Sequence, residues 1–189
     1  MIESPTVVLV PGLRDHVEDH WQTHLEKKLD KVRSVPPLEH DKLSRDSRVA
    51  ALDAVLSDIE GPVVLVAHSA GVMITAQWAR QHSRPIAGAL LVTPPDFDFP
   101  MGEPYPTQEQ LQDNGWMPVP RQRLPFPSTV AASRNDPLAD YRRVVGLAEG
   151  WGSQVLDLGE VGHLNPAAGY GYWPRAEELV QGLIEKARE

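Results

Sequence analysis

The sequence has no cysteine among its 189 residues, so disulfides, thiolate metal ligands and cysteine nucleophiles drop out of every chemical reading. It also lacks any run approaching the roughly 18 consecutive apolar residues of a membrane-spanning helix, and a soluble protein with no membrane partner is expected. The opening MIESPTVVLVPG has no basic flank and too short an apolar stretch for an export signal. Together with the missing cysteine, this favours a cytoplasmic location. Positive charge is scarce as well: 18 Lys and Arg face 26 Asp and Glu, a formal charge of −8. Without a basic cluster, no nucleic-acid partner is expected.

What is present is an ordinary globular composition, long enough for one domain over residues 1–189 with a core of its own. Apolar runs of strand length recur at Thr6 to Val10, Val63 to Val66, Ala89 to Val92 and Ser128 to Ala132. They do not alternate with polar residues, so both faces of each strand should be covered, as in a parallel sheet. Weaker runs lie at Val32 to Val35 and Gln154 to Leu158. Between the strands stand helical patterns: Trp21, Leu25 and Leu29; Val49, Leu52, Val55 and Leu56 after Ser44 as a cap; Ala70 to Arg80; Leu138 to Leu147; and Ala176 to Ala187. This alternation predicts an α/β fold with a single open, mostly parallel sheet of about six strands.

One segment breaks the rhythm. Thr93 to Pro127 carries nine of the eighteen prolines and all three phenylalanines, and proline denies a helix or central strand the donors it needs. Long connections in compact domains are disordered or shape a site, and the aromatics favour a site wall. The alternative is a strap over the sheet, anchored by Phe97, Phe99, Trp116 and Phe126.

The stretch Ala67-His68-Ser69-Ala70-Gly71 follows a predicted strand and opens a predicted helix. It is close to GxSxG, the pattern of a nucleophile elbow, in which small neighbours let strand and helix approach and the serine hydroxyl stands clear of the sheet. Ala67 replaces the usual first glycine with the next smallest residue. Ser69 is the candidate nucleophile, and the Ala70 N–H, at a helix start, is a candidate oxyanion donor. A serine that merely caps a helix would look the same in these five residues.

A serine hydroxyl needs a base and an orienting acid, here in the order Ser, Asp, His. Asp136 in Ser133-Arg134-Asn135-Asp136-Pro137 follows one predicted strand, and His163 in Gly159-Glu160-Val161-Gly162-His163 follows another. Both would stand at the carboxyl edge with Ser69, where open α/β sheets bind ligands. His163 would relay the proton, and Asp136 would fix its tautomer. Asp136 also fits a helix cap before a proline at the first helical position. Asp140, Asp157 and Glu160 are lesser candidates for the acid. His68, a neighbour of Ser69 in a sharp turn, should point its ring away.

A second oxyanion donor should come from the loop after the first strand, Pro11-Gly12-Leu13-Arg14, with the Leu13 N–H first and Arg14 as the alternative. Three of the seven histidines, His16, His20 and His24, follow at intervals of four, and such spacing on a helix can chelate zinc. Trp21, Leu25 and Leu29, however, set the buried face of a helix starting near Asp19. His20 and His24 then flank that face, and His16 precedes it. HExxH is absent and no third ligand presents itself, so a His-ligated metal hydrolase is the lesser rival, and no metal and no other cofactor is expected.

Taken together, VPGLRDHVEDHWQTHLE, VLVAHSAGV, SRNDP and GHLNPAAGYGYWP, in this order and at this chain length, resemble the lidless α/β-hydrolase group of small serine hydrolases, which includes the animal retinoblastoma-binding hydrolase and bacterial relatives. The resemblance implies helices on both faces of one sheet, no cap domain, and Ser69, Asp136 and His163 as nucleophile, acid and base. The expected activity is a carboxylesterase-like cleavage of a small or medium acyl ester through an acyl-enzyme, by a monomer or homodimer. Without a cap, the acyl pocket should come from the Pro11 to His20 loop, the 93–127 segment and the histidine loop. Arg14, His16, Phe97, Phe99, Trp116 and Leu164 are its expected substrate contacts. A hydrolase-shaped protein that only binds a partner is the rival from another class. It could not use an LxCxE motif, for want of cysteine.

Overall fold

Strand-length apolar runs that cannot leave either face to water must be covered twice, and the chain does this with one open sheet between two helical layers. A computed structural model describes residues 3–189. Six strands, β1 (Thr6–Val10), β2 (Val32–Ser34), β3 (Val63–His68), β4 (Gly88–Val92), β5 (Ser128–Ala132) and β6 (Gln154–Asp157), lie in the order β2-β1-β3-β4-β5-β6. Every neighbouring pair is parallel, with Val8 opposite Leu65 and Leu65 opposite Ala89. All residues of β1, β3 and β4 are buried. Edge strand β6 is largely exposed, which explains its weaker apolar signal.

The helices are α1 (Trp21–Glu26), α2 (Arg45–Ser57), α3 (Ala70–Gln81), α4 (Gln108–Asp113), α5 (Tyr141–Trp151) and α6 (Pro174–Lys186). Trp21 and Leu25 of α1 and Ala176, Val180 and Ile184 of α6 share one core with Leu9, Val66 and Val92. On the opposite face α2, α3 and α5 bury Leu52, Trp78 and Trp151 against Val8, Leu65 and Val130. The chain therefore crosses one face after β1 and the other after β2, and the loops leaving β1 and β3 diverge. That divergence opens a crevice at the carboxyl edge of these two strands. Among the described residues no helix is long and apolar enough to cross a membrane.

Some boundaries differ from expectation for identifiable reasons. Helix α1 begins at Trp21, two residues beyond the expected start near Asp19, is capped by the His20 ring, and ends before Leu29. Helix α5 begins at Tyr141, three residues beyond the expected start, because Asp140 supplies its cap. Asp136 and Pro137 instead form a turn in which Asp136 Oδ1 accepts the Leu138 N–H at 2.9 Å. Helix α4 interrupts the proline-rich segment, stabilised by a capping box in which Thr107 and Gln110 satisfy each other's backbone donors. That segment is both strap and wall: Trp116 and Phe126 are buried in the core, while Phe97, Met101 and Tyr105 reach the crevice.

Candidate active site

The site begins at the junction of β3 and α3. The Ser69 N–H still donates to Val92 of β4 at 3.0 Å, while its carbonyl already accepts the Val72 N–H of α3 at 2.9 Å. One residue ends the ladder and opens the helix, and it does so at φ 56° and ψ −128°. Side-chain-bearing residues avoid that region at a cost of about 1–3 kcal/mol. The turn is tight enough that a Cβ on Gly71 would collide with the Val10 carbonyl oxygen and lie 2.8 Å from that of Pro11. The hydroxyl makes no capping bond and is free for another partner.

That partner is His163. Its Nε2 lies 2.7 Å from Ser69 Oγ, and its Nδ1 lies 3.0 Å from each carboxylate oxygen of Asp136. Carboxylate oxygens only accept, so the ring proton sits on Nδ1 and Nε2 faces the hydroxyl as an acceptor. Both side chains of this ion-pair geometry are almost fully buried, at 6% and 2% exposure. The arrangement can withdraw a proton from Ser69 and hold it on a ring whose cation a buried carboxylate stabilises.

The loop carrying His163 is anchored at several points. Gly162 and Leu164, on either side, have φ of 59° and 48°. Asn135 Oδ1 accepts the Gly162 N–H at 2.7 Å, and Trp21 Nε1 donates to the Leu164 carbonyl at 3.1 Å. The loop after β1 is held from α2: buried Arg48 donates to the carbonyls of Leu13 (3.1 Å) and Lys42 (2.7 Å) and pairs with Asp15, whose φ is 59°. Reading the sequence missed Asn135 and Arg48. SRNDP carries the asparagine beside the acid, but nothing local marks Arg48, whose partners lie 6 to 35 residues away.

A crevice of about 880 Å³ opens over these groups. Leu13, Arg14, His16, Ser69, Ala70 and His163 all line it. Ala70 is the first residue of α3, so its N–H has no acceptor within the helix. Three expected substrate contacts lie elsewhere. Phe99 is 54% exposed under the Arg143 guanidinium, because the chain turns outward at Asp96–Phe99. Trp116 is fully buried, its indole N–H donating to the Leu43 carbonyl at 2.7 Å. Leu164 is buried on the opposite core, against the α1–α6 layer, since its positive φ turns it away from the crevice.

The remaining candidates separate as well. Asp140 caps α5, Asp157 pairs with Arg134 at 2.6 Å, and Glu160 is exposed. His24 bonds Asp19 at the surface, whereas His20 is buried. Among the described residues, no three His, Asp or Glu side chains gather as metal ligands would. The His68 ring turns beneath the site, its Nε2 2.9 Å from the His163 carbonyl oxygen.

A family profile described as serine hydrolase matches residues 7–182. A solved structure described as a YdeN-like hydrolase from Pectobacterium atrosepticum is 30% identical, with a TM-score of 0.83 over 98% of this chain and 94% of its own. The ydeN gene product of B. subtilis is 17% identical, with a TM-score of 0.72 over 96% of this chain and all of its own (100%). A thermophilic esterase from Thermogutta terrifontis is 16% identical, with a TM-score of 0.65 over 100% of this chain and 92% of its own. The last two likenesses are of fold. No curated protein matches the chain.

Proposed function

The chain belongs to the serine hydrolase family, and on that premise we propose that it cleaves a small or medium acyl ester through an acyl-enzyme on Ser69. The observation that carries the reading is the unbroken hydrogen-bonded chain from Ser69 through His163 to Asp136. In the forward step Ser69 Oγ attacks the carbonyl carbon as its proton passes to His163 Nε2. The tetrahedral oxyanion is met by the Ala70 N–H and by the Leu13 or Arg14 N–H, donors already fixed before the charge develops. His163 returns the proton to the departing alcohol. Water, deprotonated by the same ring, then releases the acid and restores Ser69.

The crevice supports the size class, since ligand sites commonly span about 300–1,000 Å³. Its apolar wall of Pro95, Phe97, Met101, Pro104, Tyr105 and Leu138 suits an acyl chain. The test combines a fluorophosphonate probe on intact protein with a panel of acyl esters, each run on wild type and Ser69→Ala. A single adduct on Ser69, and ester cleavage lost in the variant, are expected. Folded wild type that takes no adduct would overturn the reading in favour of a protein that only binds.

A further inference from the structure

Two histidines that the proposed chemistry does not use lie directly behind His163. His68 ends β3 and His20 caps α1, and both are buried. The Gln22 N–H donates to His20 Nδ1 at 3.1 Å. A backbone N–H can only donate, so in the neutral ring His20 carries its proton on Nε2. That Nε2 lies 3.2 Å from His68 Nδ1, which must therefore accept, and the His68 proton is left on Nε2. There it faces the His163 carbonyl oxygen at 2.9 Å, which can only accept. One amide at one end and one carbonyl at the other thus fix both tautomers. Burial, reinforced by the neighbouring histidines, lowers His20 from 6.5 to about 4 and His68 well below its ordinary value. Both rings are then neutral near pH 7. A proton added to either would set two N–H groups against each other at one of these contacts.

We propose that His20 and His68 are positioning residues, a neutral imidazole relay that clamps the backbone of His163 and so holds its ring in line with Ser69. The inference rests on the triad reading above. His163 sits in a turn between two residues of left-handed φ, Gly162 and Leu164; the 163–164 peptide is tied at its N–H to the Val161 carbonyl at 3.1 Å, and its carbonyl end is held by side chains. Its carbonyl has one other donor, Thr93 Oγ1, at the longer distance of 3.3 Å. The ring must meet Asp136 and Ser69 at the same time, so rotation of the 163–164 peptide would move Nε2 off the hydroxyl. A displacement of about 1 Å in such a constellation is enough to cost about 100-fold in rate.

The test is the rate of Ser69 phosphonylation by a fluorophosphonate, which reports activation of the nucleophile, together with kcat and KM for p-nitrophenyl butyrate. His68→Leu keeps bulk without a donor, and it is expected to slow both phosphonylation and kcat by about 10- to 100-fold while KM changes little. His68→Gln can place an amide N–H where Nε2 was, and it should recover activity to within about threefold of wild type. His20→Leu should slow the reaction by a smaller factor and add nothing in the His68→Leu background, because the relay is already broken there. Equal rates in His68→Leu and His68→Gln, or losses that multiply in the double variant, would overturn the proposal. If His68→Leu does not fold, His20→Leu decides alone, and an unchanged phosphonylation rate there overturns it too. Wild type unlabelled at Ser69 would remove the triad reading itself; wild type labelled, with variants indifferent, removes only the relay.

Discussion

The buried imidazoles make stability depend on pH in a defined direction. His20 keeps its ordinary 6.5 in the unfolded chain but about 4 in the folded one, chiefly because burial disfavours its cation. Between these values the unfolded state binds a proton that the folded state refuses, so stability falls as pH falls, by about 1.4 kcal/mol for each pH unit. Above about pH 6.5 the ring is neutral in both states and contributes no slope; below about pH 4 the loss is complete. For His20 alone this amounts to about 3 kcal/mol, a sizeable part of the 5–15 kcal/mol by which domains are held folded. His68, lowered in the same direction, steepens the same limb. The perturbation that isolates the effect is His20→Asn, because an asparagine oxygen can still cap α1 at the Gln22 N–H while the titrating ring is gone. Urea unfolding of both proteins from about pH 7 to about pH 4.5 is the assay, with m-values compared to exclude a changed unfolded state. Carboxylates and the histidines remote from this pair act alike in both proteins and cancel in the difference, whereas His68, lowered in part by the charge of a protonated His20, titrates somewhat higher in the variant. The wild-type curve should drop below a flatter variant curve by about 2 kcal/mol across the window. Parallel curves would mean that His20 is solvated or charged in the folded protein, and the tautomer assignment would fail with it.

Three further outcomes follow from the geometry. Asp136→Asn should lower kcat by about 10⁴-fold, because an amide donor at His163 Nδ1 selects the wrong tautomer. The urea midpoint should barely move, since the amide oxygen can still accept the Leu138 N–H, and near-normal turnover would assign the acid to another residue. Phe97→Ala should change acyl-chain preference across an ester series while Phe99→Ala leaves it unchanged, since only Phe97 lines the crevice; equal effects would refute that placement. Gly71→Ala should destabilise the fold by about 1–3 kcal/mol in denaturant, as the added carbon meets backbone oxygens that cannot rotate away. A variant as stable as wild type would show that the β1–α3 contact is looser than it stands.

The central strands were legible because Val7, Val8, Val64, Leu65 and Leu90 lie in uninterrupted apolar runs, and only a strand covered on both faces tolerates those. The order Ser69, Asp136, His163 was legible because each residue follows a strand-length run, the weak one at Gln154 to Leu158 in the case of His163, and carboxyl ends of parallel strands share one edge by construction. What stayed hidden is what periodicity does not encode. In the proline-rich segment no repeat sets which side of the chain faces inward, so Phe97, Phe99 and Trp116 read alike although the three sit in crevice, solvent and core. Asp136-Pro137 carries a helix-start signal that a second, better-placed aspartate, Asp140, overrides. The relay was invisible for a further reason. His20, His68 and His163 are joined by contacts spanning 48 and 95 residues, and no local pattern reports partners that distant.

The strain at Ser69 follows from the same sheet edge that made the site readable. A residue that leaves a parallel ladder normally does so over several positions, but here the ladder bond to Val92 and the helical bond from Val72 converge on one residue. Ser69 satisfies both at φ 56°, where a side chain is costly. The surroundings hold the turn in place. Gly71 brings α3 against the Val10 carbonyl, Ala67 and Ala70 on either side are buried, and the His68 ring is committed at both nitrogens. With the backbone fixed on every side, the Ser69 hydroxyl is delivered to His163 instead of capping its own helix. The helix start is left with unfilled donors at the point where an oxyanion would form. Strain, missing cap and exposed N–H are thus one structural decision, made where the chain passes from β3 to α3.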